Sequence, residues 1–353
     1  MRRHLVPTGG RSGIRRRMQR RAIPEALRFA RRQAQPRHST TLAYRTGALA
    51  LLLLALVAGG CGQDGTTSGA AAPADQQASF PVTLDTPAGK VTLDRQPSRI
   101  VSLSPTATEM LFAIGAGGQV VAVDSNSNYP AEAPRTELSA YQPNLEAIAG
   151  HTPDLVVYSD DPGELAAGLG KLGIPALQQP AATKLDDTYA QLDELGKATG
   201  HEAEAGQLVT TMRAEIDKIA GADRPERPLT YYHELDKNLY TATSKTFIGQ
   251  LYAQLGMENI ADAADKEGTG YPQLSAEYVI KADPDLIFLA DTKCCGQSAS
   301  TVAARDGWDQ LTAVKTGGVV ELDDDVASRW GPRVVDFLKV IAAKVQATEA
   351  GGA

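Results

Sequence analysis

The 353-residue chain is poor in the residues that carry most enzymatic chemistry. It has five histidines, and two of them, His4 and His38, fall in an arginine-rich leader. The other three, His151, His201 and His233, show no H-E-x-x-H or similar ligand spacing, and there is no histidine-rich loop. That pattern argues against a zinc hydrolase and against a receptor for free metal ions. Only three cysteines occur, Cys61, Cys294 and Cys295, and none forms a C-x-x-C redox pair. No G-x-S-x-G, Walker A or G-x-G-x-x-G follows a strand in the context those chemistries require. The glycines of "IGAGGQ" sit at the end of an expected helix, where glycine is the ordinary cap. The sequence thus points to a protein that is not an enzyme, and it implies no cofactor and no resident metal.

What is present is unevenly distributed. Residues 1–60 carry 13 arginines and one acid, Glu25. The remainder holds 22 basic against 41 acidic residues, a net charge of about −19. A surface that acidic repels nucleic acid and anionic lipid headgroups. The basic segment runs into "TGALALLLLALVAGGC" (46–61), whose 13 apolar or glycine residues before Cys61 are too few for a ~20-residue membrane span. A basic stretch, a short apolar run and small residues before a break form an export signal. Nothing else in the chain is apolar enough to cross a bilayer. Residues 62–79, small and polar without an apolar period, read as a flexible tether.

The folded body is expected from Phe80, opening with a hairpin in "FPVTLDTPAGKVTLD". Short β-branched runs then alternate with amphipathic stretches: "RIVSL", "QVVAV", "DLVVY" and "PALQQ" in the first half, "LTYYHEL", "DLIFLA" and "GVVEL" in the second. Such alternation predicts α/β layers with mostly parallel sheets. Two segments repeat. "NLEAIAGHTPDLVVYSDD" and "LSAEYVIKADPDLIFLAD" each place a glutamate, Glu146 or Glu277, seven residues before Pro-Asp-Leu. The repeat predicts two similar three-layer lobes. Between them, Leu208, Met212, Ile216 and Ile219 recur at helical spacing, which predicts a helix of ~30 Å over 201–220. The expected borders are 1–60 leader and signal, 61–79 tether, 80–185 first lobe, 186–222 connector, 223–347 second lobe and 348–353 disordered tail.

With "RIVSLSPTATEMLFAIG" and "SRWGPRVVDFLKVI", these features resemble the solute-binding lipoproteins of bacterial iron-chelate and cobalamin ABC importers, over roughly residues 80–347. In wording the chain is nearest to the cobalamin-binding members. The resemblance implies a ligand cleft between two lobes held by one long rigid helix, and a monomer anchored outside the cytoplasmic membrane by lipid on Cys61. The implied partners are a permease dimer with its ATPase, and the implied ligand is a metal chelate. Tyr141 and Tyr271 stand where the cobalamin binders have tryptophan, and Tyr240 where they have phenylalanine. Asp325 and Arg329 match a polar pair near the corrin ring, while Asn126 and Ser159 replace two further aromatics. Glu146 and Glu277 match the glutamates that dock onto permease arginines in this family.

In open α/β lobes, ligands lie beyond the carboxyl ends of the strands. That rule brings Ser104, Tyr129, Cys294, Cys295 and Trp330 to the cleft alongside the residues just named. Flat aromatic walls suit a large, partly apolar chelate, each ring burying ~150–250 Å². The same loops carry Arg329, Lys237 and Lys293 against Asp160, Asp161, Glu164, Asp236, Asp291 and Asp323–Asp325. This acidic rim favours a neutral or cationic ligand, such as cobalamin or a ferric hydroxamate siderophore, over catecholate or citrate chelates. Haem is an alternative, with Tyr231, Tyr232 or His233 as an axial ligand. A second alternative is an exported redox protein using Cys294 and Cys295. Adjacent cysteines have Cα atoms ~3.8 Å apart, so a bond between them closes a stiff eight-membered ring, read here as an apolar knob on the cleft lip.

Overall fold

In the computed structural model, residues 80–221, 225 and 227–351 are described. The leader, Cys61 and the tether lie outside them. Val82–Thr86 (β1) and Gly89–Leu93 (β2) pair antiparallel as the expected hairpin. Four parallel strands follow: β3 (Ile100–Leu103), β4 (Val120–Val123), β5 (Leu155–Tyr158) and β6 (Ala176–Gln178), in the order β4-β3-β5-β6. The second half contains β7 (Thr230–Glu234), β8 (Glu258–Asn259), β9 (Leu286–Leu289) and β10 (Val319–Glu321), in the order β10-β9-β7-β8. Counted within each half, both sheets read second-first-third-fourth. The repeat seen in the sequence is therefore a repeat of topology. Only β8 was not expected, because its two polar residues carry no apolar signal.

The first lobe adds α1 (Pro105–Ala113), α2 (Leu145–Gly150) and α3 (Leu165–Lys171). The connector forms α4 (Leu185–Thr199) and α5 (Glu202–Gly221). The second lobe adds α6 (Phe247–Gln254), α7 (Ala276–Ala282), α8 (Thr292–Cys295), α9 (Ala299–Ala303), α10 (Thr312–Lys315), α11 (Asp324–Ser328) and α12 (Val334–Gly351). Because α12 runs to Gly351, residues 348–351 are helical where a disordered tail was expected.

Side chains alternate across each strand, and both sheets are buried on both faces. Ile100, Leu155 and Val157 face a core shared with α4, α5, Tyr231, Phe288 and Phe337. Val101, Val156 and Tyr158 turn the other way, toward a separate cluster with Ile148 and Leu165. In the second lobe Tyr232, Ile287 and Leu289 face an outer cluster around Trp308. One apolar layer thus continues from the first sheet through the connector to the second.

The connector is two helices rather than one. Gly200 (φ 77°) turns the chain between them, and a Cβ at Gly196 would lie 2.6 Å from that of Ala205. Glycine is what lets α4 and α5 approach so closely. On α5, Met212 and Ile216 are buried, and Leu208 and Ile219 pack at the margin of the shared core. Lys339 of α12 reaches Glu215 of α5 at 2.7 Å. The ~30 Å helix therefore leans on both halves.

Candidate functional site

The loops at the carboxyl ends of the strands differ between the two lobes. In the first, the end of β3 runs into α1, whose N-cap is Ser104: its Oγ accepts from the N–H of Ala107 at 3.3 Å. Ser159, following β5, donates to the same Oγ at 2.8 Å. Beneath them Thr108 bonds Ser102 and Ser127, and Ser127 donates to Asp124 at 2.5 Å. Burial pushes the Asp124 carboxyl up, against the hydrogen bonds it accepts and the nearby Arg329. The floor of this lobe is a net of hydroxyls around one buried carboxylate.

The second lobe has charges instead. Glu234, at the end of β7, is fully buried and engages both ends of the Arg305 guanidinium. Arg305 also donates to Gln297 at 2.7 Å and lies 4.5 Å over the Trp308 ring. Asp291, after β9, is buried with neither carboxylate oxygen hydrogen-bonded. Burial first, and Glu234 second, raise its pKa to about 7, with Arg305 opposing. Asp324 reaches over to cap α8, accepting from the backbone N–H groups of Thr292, Lys293 and Cys294 at 2.9–3.0 Å.

A third network joins the two. Glu109 of α1 accepts from Arg329 at 2.7 Å and from Nε of Arg333 at 2.9 Å. Arg329 also donates to Asp325, Asn128 and the backbone carbonyl of Asn126. Asn128 closes the circuit to Asp325 at 3.0 Å. Glu109 is 1% exposed and Arg329 8%.

The tyrosines fall into two groups. Tyr129 (47%), Tyr141 (57%) and Tyr271 (50%) are exposed, whereas Tyr158, Tyr189, Tyr231, Tyr232 and Tyr252 are buried. Burial first, and then the fields of Asp124 and Asp160, raise the pKa of Tyr141. The Tyr129 ring lies 4.2 Å from the Arg333 guanidinium. Tyr271 follows Gly270, whose carbonyl accepts from Thr243, so it stands beside the loop after β7. Tyr240 in that loop is half-buried. Cys294 and Cys295 are paired as a vicinal disulfide on exposed α8, which Gly296 (φ 67°) terminates.

Several expectations change. Tyr231, Tyr232 and His233 are buried within β7: Asn259 donates to the Tyr231 hydroxyl, and His233 bonds Tyr252. None is placed to meet a haem, because an inner strand faces packed layers on both sides. The acidic rim is smaller than the sequence implies. Asp236 and Asp291 are buried, Asp324 caps α8, and Asp323 and Asp325 pair with Lys293. Asp160, Asp161 and Glu164 remain exposed. Of the three cations, Arg329 and Lys293 are in ion pairs. Trp330 packs on the shared core and donates its indole N–H to Gln191 of α4 at 2.9 Å. Glu109 and Arg333 stand in the motifs of the two halves without showing their role there, because an ion pair spanning 224 residues leaves no local pattern.

Glu146 and Glu277 are exposed in the first turns of α2 and α7. Asn144 and Ser275 cap those helices in the same way. Each helix leads back into the third strand of its lobe, so both glutamates lie toward the strands' carboxyl ends. A crevice of about 360 Å³ lies elsewhere, between the connector and α6, lined by Tyr189, Arg213 and Phe247 among others.

Comparison with known proteins gives a consistent answer. A family model described as periplasmic binding protein matches residues 100–326. An uncharacterized ABC transporter substrate-binding lipoprotein of Bacillus subtilis is 32% identical over 315 residues, 84% of this chain and 95% of that protein. A cobalamin-binding protein of Halobacterium salinarum is 34% identical over 277 residues, 75% of this chain and 74% of that protein. A solved structure from Staphylococcus epidermidis, described as a possible iron-binding periplasmic solute-binding protein, aligns with a TM-score of 0.62 at 26% identity, covering 71% of this chain and 99% of that one.

Proposed function

The chain belongs to the periplasmic binding protein family, and from that premise we propose that it is an extracytoplasmic receptor that captures a metal chelate for an ABC importer. The ligand is a cobalamin-type corrinoid or a ferric hydroxamate siderophore, and the role is binding rather than catalysis. One observation carries the reading: Tyr129, Tyr141 and Tyr271 are held half-exposed from structured loops while five other tyrosines are buried. Exposed rings on a rigid scaffold offer flat apolar faces to a large ligand at low entropic cost. Tyr240 completes the wall and the Cys294–Cys295 ring stands on its lip, whereas Ser104, 3% exposed, is too buried to join it.

Charge supports a chelate that is not strongly anionic. Catecholate and citrate chelates need clustered uncommitted Arg and Lys, and here Arg329 and Lys293 are engaged by carboxylates. In the same reading, residues 80–185 and 223–347 are the lobes and 186–222 the connector, whose first helix α4 begins one residue earlier, at Leu185. Cys61 carries the lipid, 62–79 is the tether, and the protein works as a monomer.

Glu146 and Glu277 are the contacts to the permease dimer. Their matched capped positions, one per lobe, suit a two-fold partner, and its own backbone N–H, with the Ser275 hydroxyl, holds Glu277 below the usual carboxylate range. The test is a thermal-shift panel of cobalamins, ferric hydroxamates, ferric catecholates and haem on the purified mature protein. A ligand at ~100 times its Kd adds ~2.7 kcal/mol of stability. A panel that leaves the melting temperature unmoved refutes the receptor reading. Glu146→Ala with Glu277→Ala abolishes uptake and leaves chelate binding intact; loss of binding in that variant refutes the docking role.

A further inference from the structure

Arg329 and Arg333 belong to the second half of the chain, and Glu109 to the first. Their meeting point is the cleft end of the molecule, where α1 leaves β3 and where the loops after edge strands β4 and β10 come together. The charges balance: two guanidinium groups face Glu109 and Asp325. Every bond in the circuit except Arg329–Asp325 crosses between the halves. Glu109 is the hub, because its two oxygens hold both arginines at once.

The network has one open side. The guanidinium of Arg333, fixed by Glu109, lies 4.2 Å from the ring of Tyr129, and that ring is half-exposed. Arg329 meanwhile holds the carbonyl of Asn126 and the side-chain oxygen of Asn128, the residues that precede Tyr129. The loop bearing this tyrosine is therefore held by arginines of the opposite lobe.

We infer that Glu109 is a positioning residue: through Arg329 and Arg333 it locks the lobes together on one side of the cleft and sets the Tyr129 wall before ligand arrives. The inference deepens the receptor reading and rests on it for the ligand. It gives Arg329 a task other than ligand contact, since both its terminal nitrogens already bond protein acceptors.

The test compares wild type, Glu109→Gln and Arg333→Lys in two measurements. In amide hydrogen exchange without ligand, Glu109→Gln accelerates exchange in the 125–129 loop, where the N–H groups of Ser125 and Ser127 bond Leu138 and Asp124. Val156 and Ile287, bonded within the sheets of the two lobes, serve as controls and keep their wild-type rates. In titration with a cobalamin and with a ferric hydroxamate, Glu109→Gln raises the Kd of the one that binds wild type about tenfold. Arg333→Lys keeps the charge but loses the bidentate, stacked geometry, and gives a smaller rise in the same direction. If Glu109→Gln fails to fold, Arg333→Lys is read alone against the same expectations.

Equal acceleration at the loop and at both controls means general loosening and overturns the inference. So does an unchanged Kd with an unchanged loop. If wild type binds no chelate in the panel, the receptor reading falls, and the exchange measurement alone decides whether the lock exists.

Discussion

The two lobes are alike where strands begin and unlike where strands end. Asp154 accepts from the N–H groups of Ser98 and Arg99 at the start of β3. Asp285 accepts from the N–H of Thr230 at the start of β7. Both aspartates come from Pro-Asp-Leu, and both answer the same demand, an acceptor for backbone donors at the foot of the first strand. At the other end the first lobe presents hydroxyls around Asp124, and the second presents Glu234, Arg305, Asp291 and Asp324. Loops past the strands face no shared backbone requirement, so the two floors are free to differ, and ligand selection falls to them.

The largest expected effect comes from the pair that joins the lobes. Glu109→Ala leaves two guanidinium groups without their shared partner and costs ~3–5 kcal/mol, read by urea unfolding. Glu234→Ala costs less, because Asp291 ionises and takes its place beside Arg305. Equal losses in the two variants would contradict this difference between the crossing pair and the internal one.

The buried acids separate the lobes by pH. An unfolded aspartate titrates near ~3.9, whereas Asp291 in the folded protein titrates at about 7. Across that window the native state holds a proton that the unfolded chain has lost, so stability falls as pH rises, by at most ~1.4 kcal/mol per pH unit. The loss is complete above about 7. Asp291→Asn removes this component and is more stable than wild type at pH 8. Asp124→Asn has the same sign and a smaller effect, because Ser127 and backbone donors already hold its charged form. Unfolding midpoints at pH 5 and 8 decide, and an unaltered slope in Asp291→Asn sinks the assignment.

Where the lobes agree, variants should agree. Asp154→Ala and Asp285→Ala each lose strand-end hydrogen bonds worth ~1–3 kcal/mol in all. Asp285 also pairs with Arg227, but that arginine is exposed and adds little. A difference well beyond ~1 kcal/mol would show that the repeat is only formal. The smallest effect on stability is expected at Cys294 and Cys295. A bond between neighbours closes almost no loop in the unfolded chain, so changing both to serine barely moves the melting temperature. Under the proposed receptor role its consequence is for ligand affinity. Mass spectrometry of the exported protein should find neither thiol alkylated before reduction, and two free thiols would remove the ring.

Much of the scaffold was legible because it rests on short-range pattern. "DLVVY" and "DLIFLA" are strands because β-branched and apolar runs fit a sheet buried on both faces. The α5 helix ends within a residue of its predicted bounds, since its apolar period continues until glycine and a proline-rich stretch. Glu258–Asn259 was missed because its pairing with β7 is supplied by backbone alone. The exposed tyrosines could be proposed from position after strands. The commitments of Arg329, Trp330 and the Asp323–Asp325 run could not, because burial and partner choice depend on chain segments distant in sequence.

Composition and periodicity determined that the body is α/β and that it is duplicated. These follow from local forces: side-chain period, backbone propensity and the residue types present. Only the tertiary structure decided which charges meet. It made Glu109 a hub between lobes, left Asp291 alone beside Glu234, and thinned an apparently acidic rim by burial, ion pairs and a helix cap, leaving Asp160, Asp161 and Glu164 exposed. A charge counted in sequence is the same whether solvated or buried, but its free energy is set by its neighbours and its dielectric, and those exist only once the chain has folded.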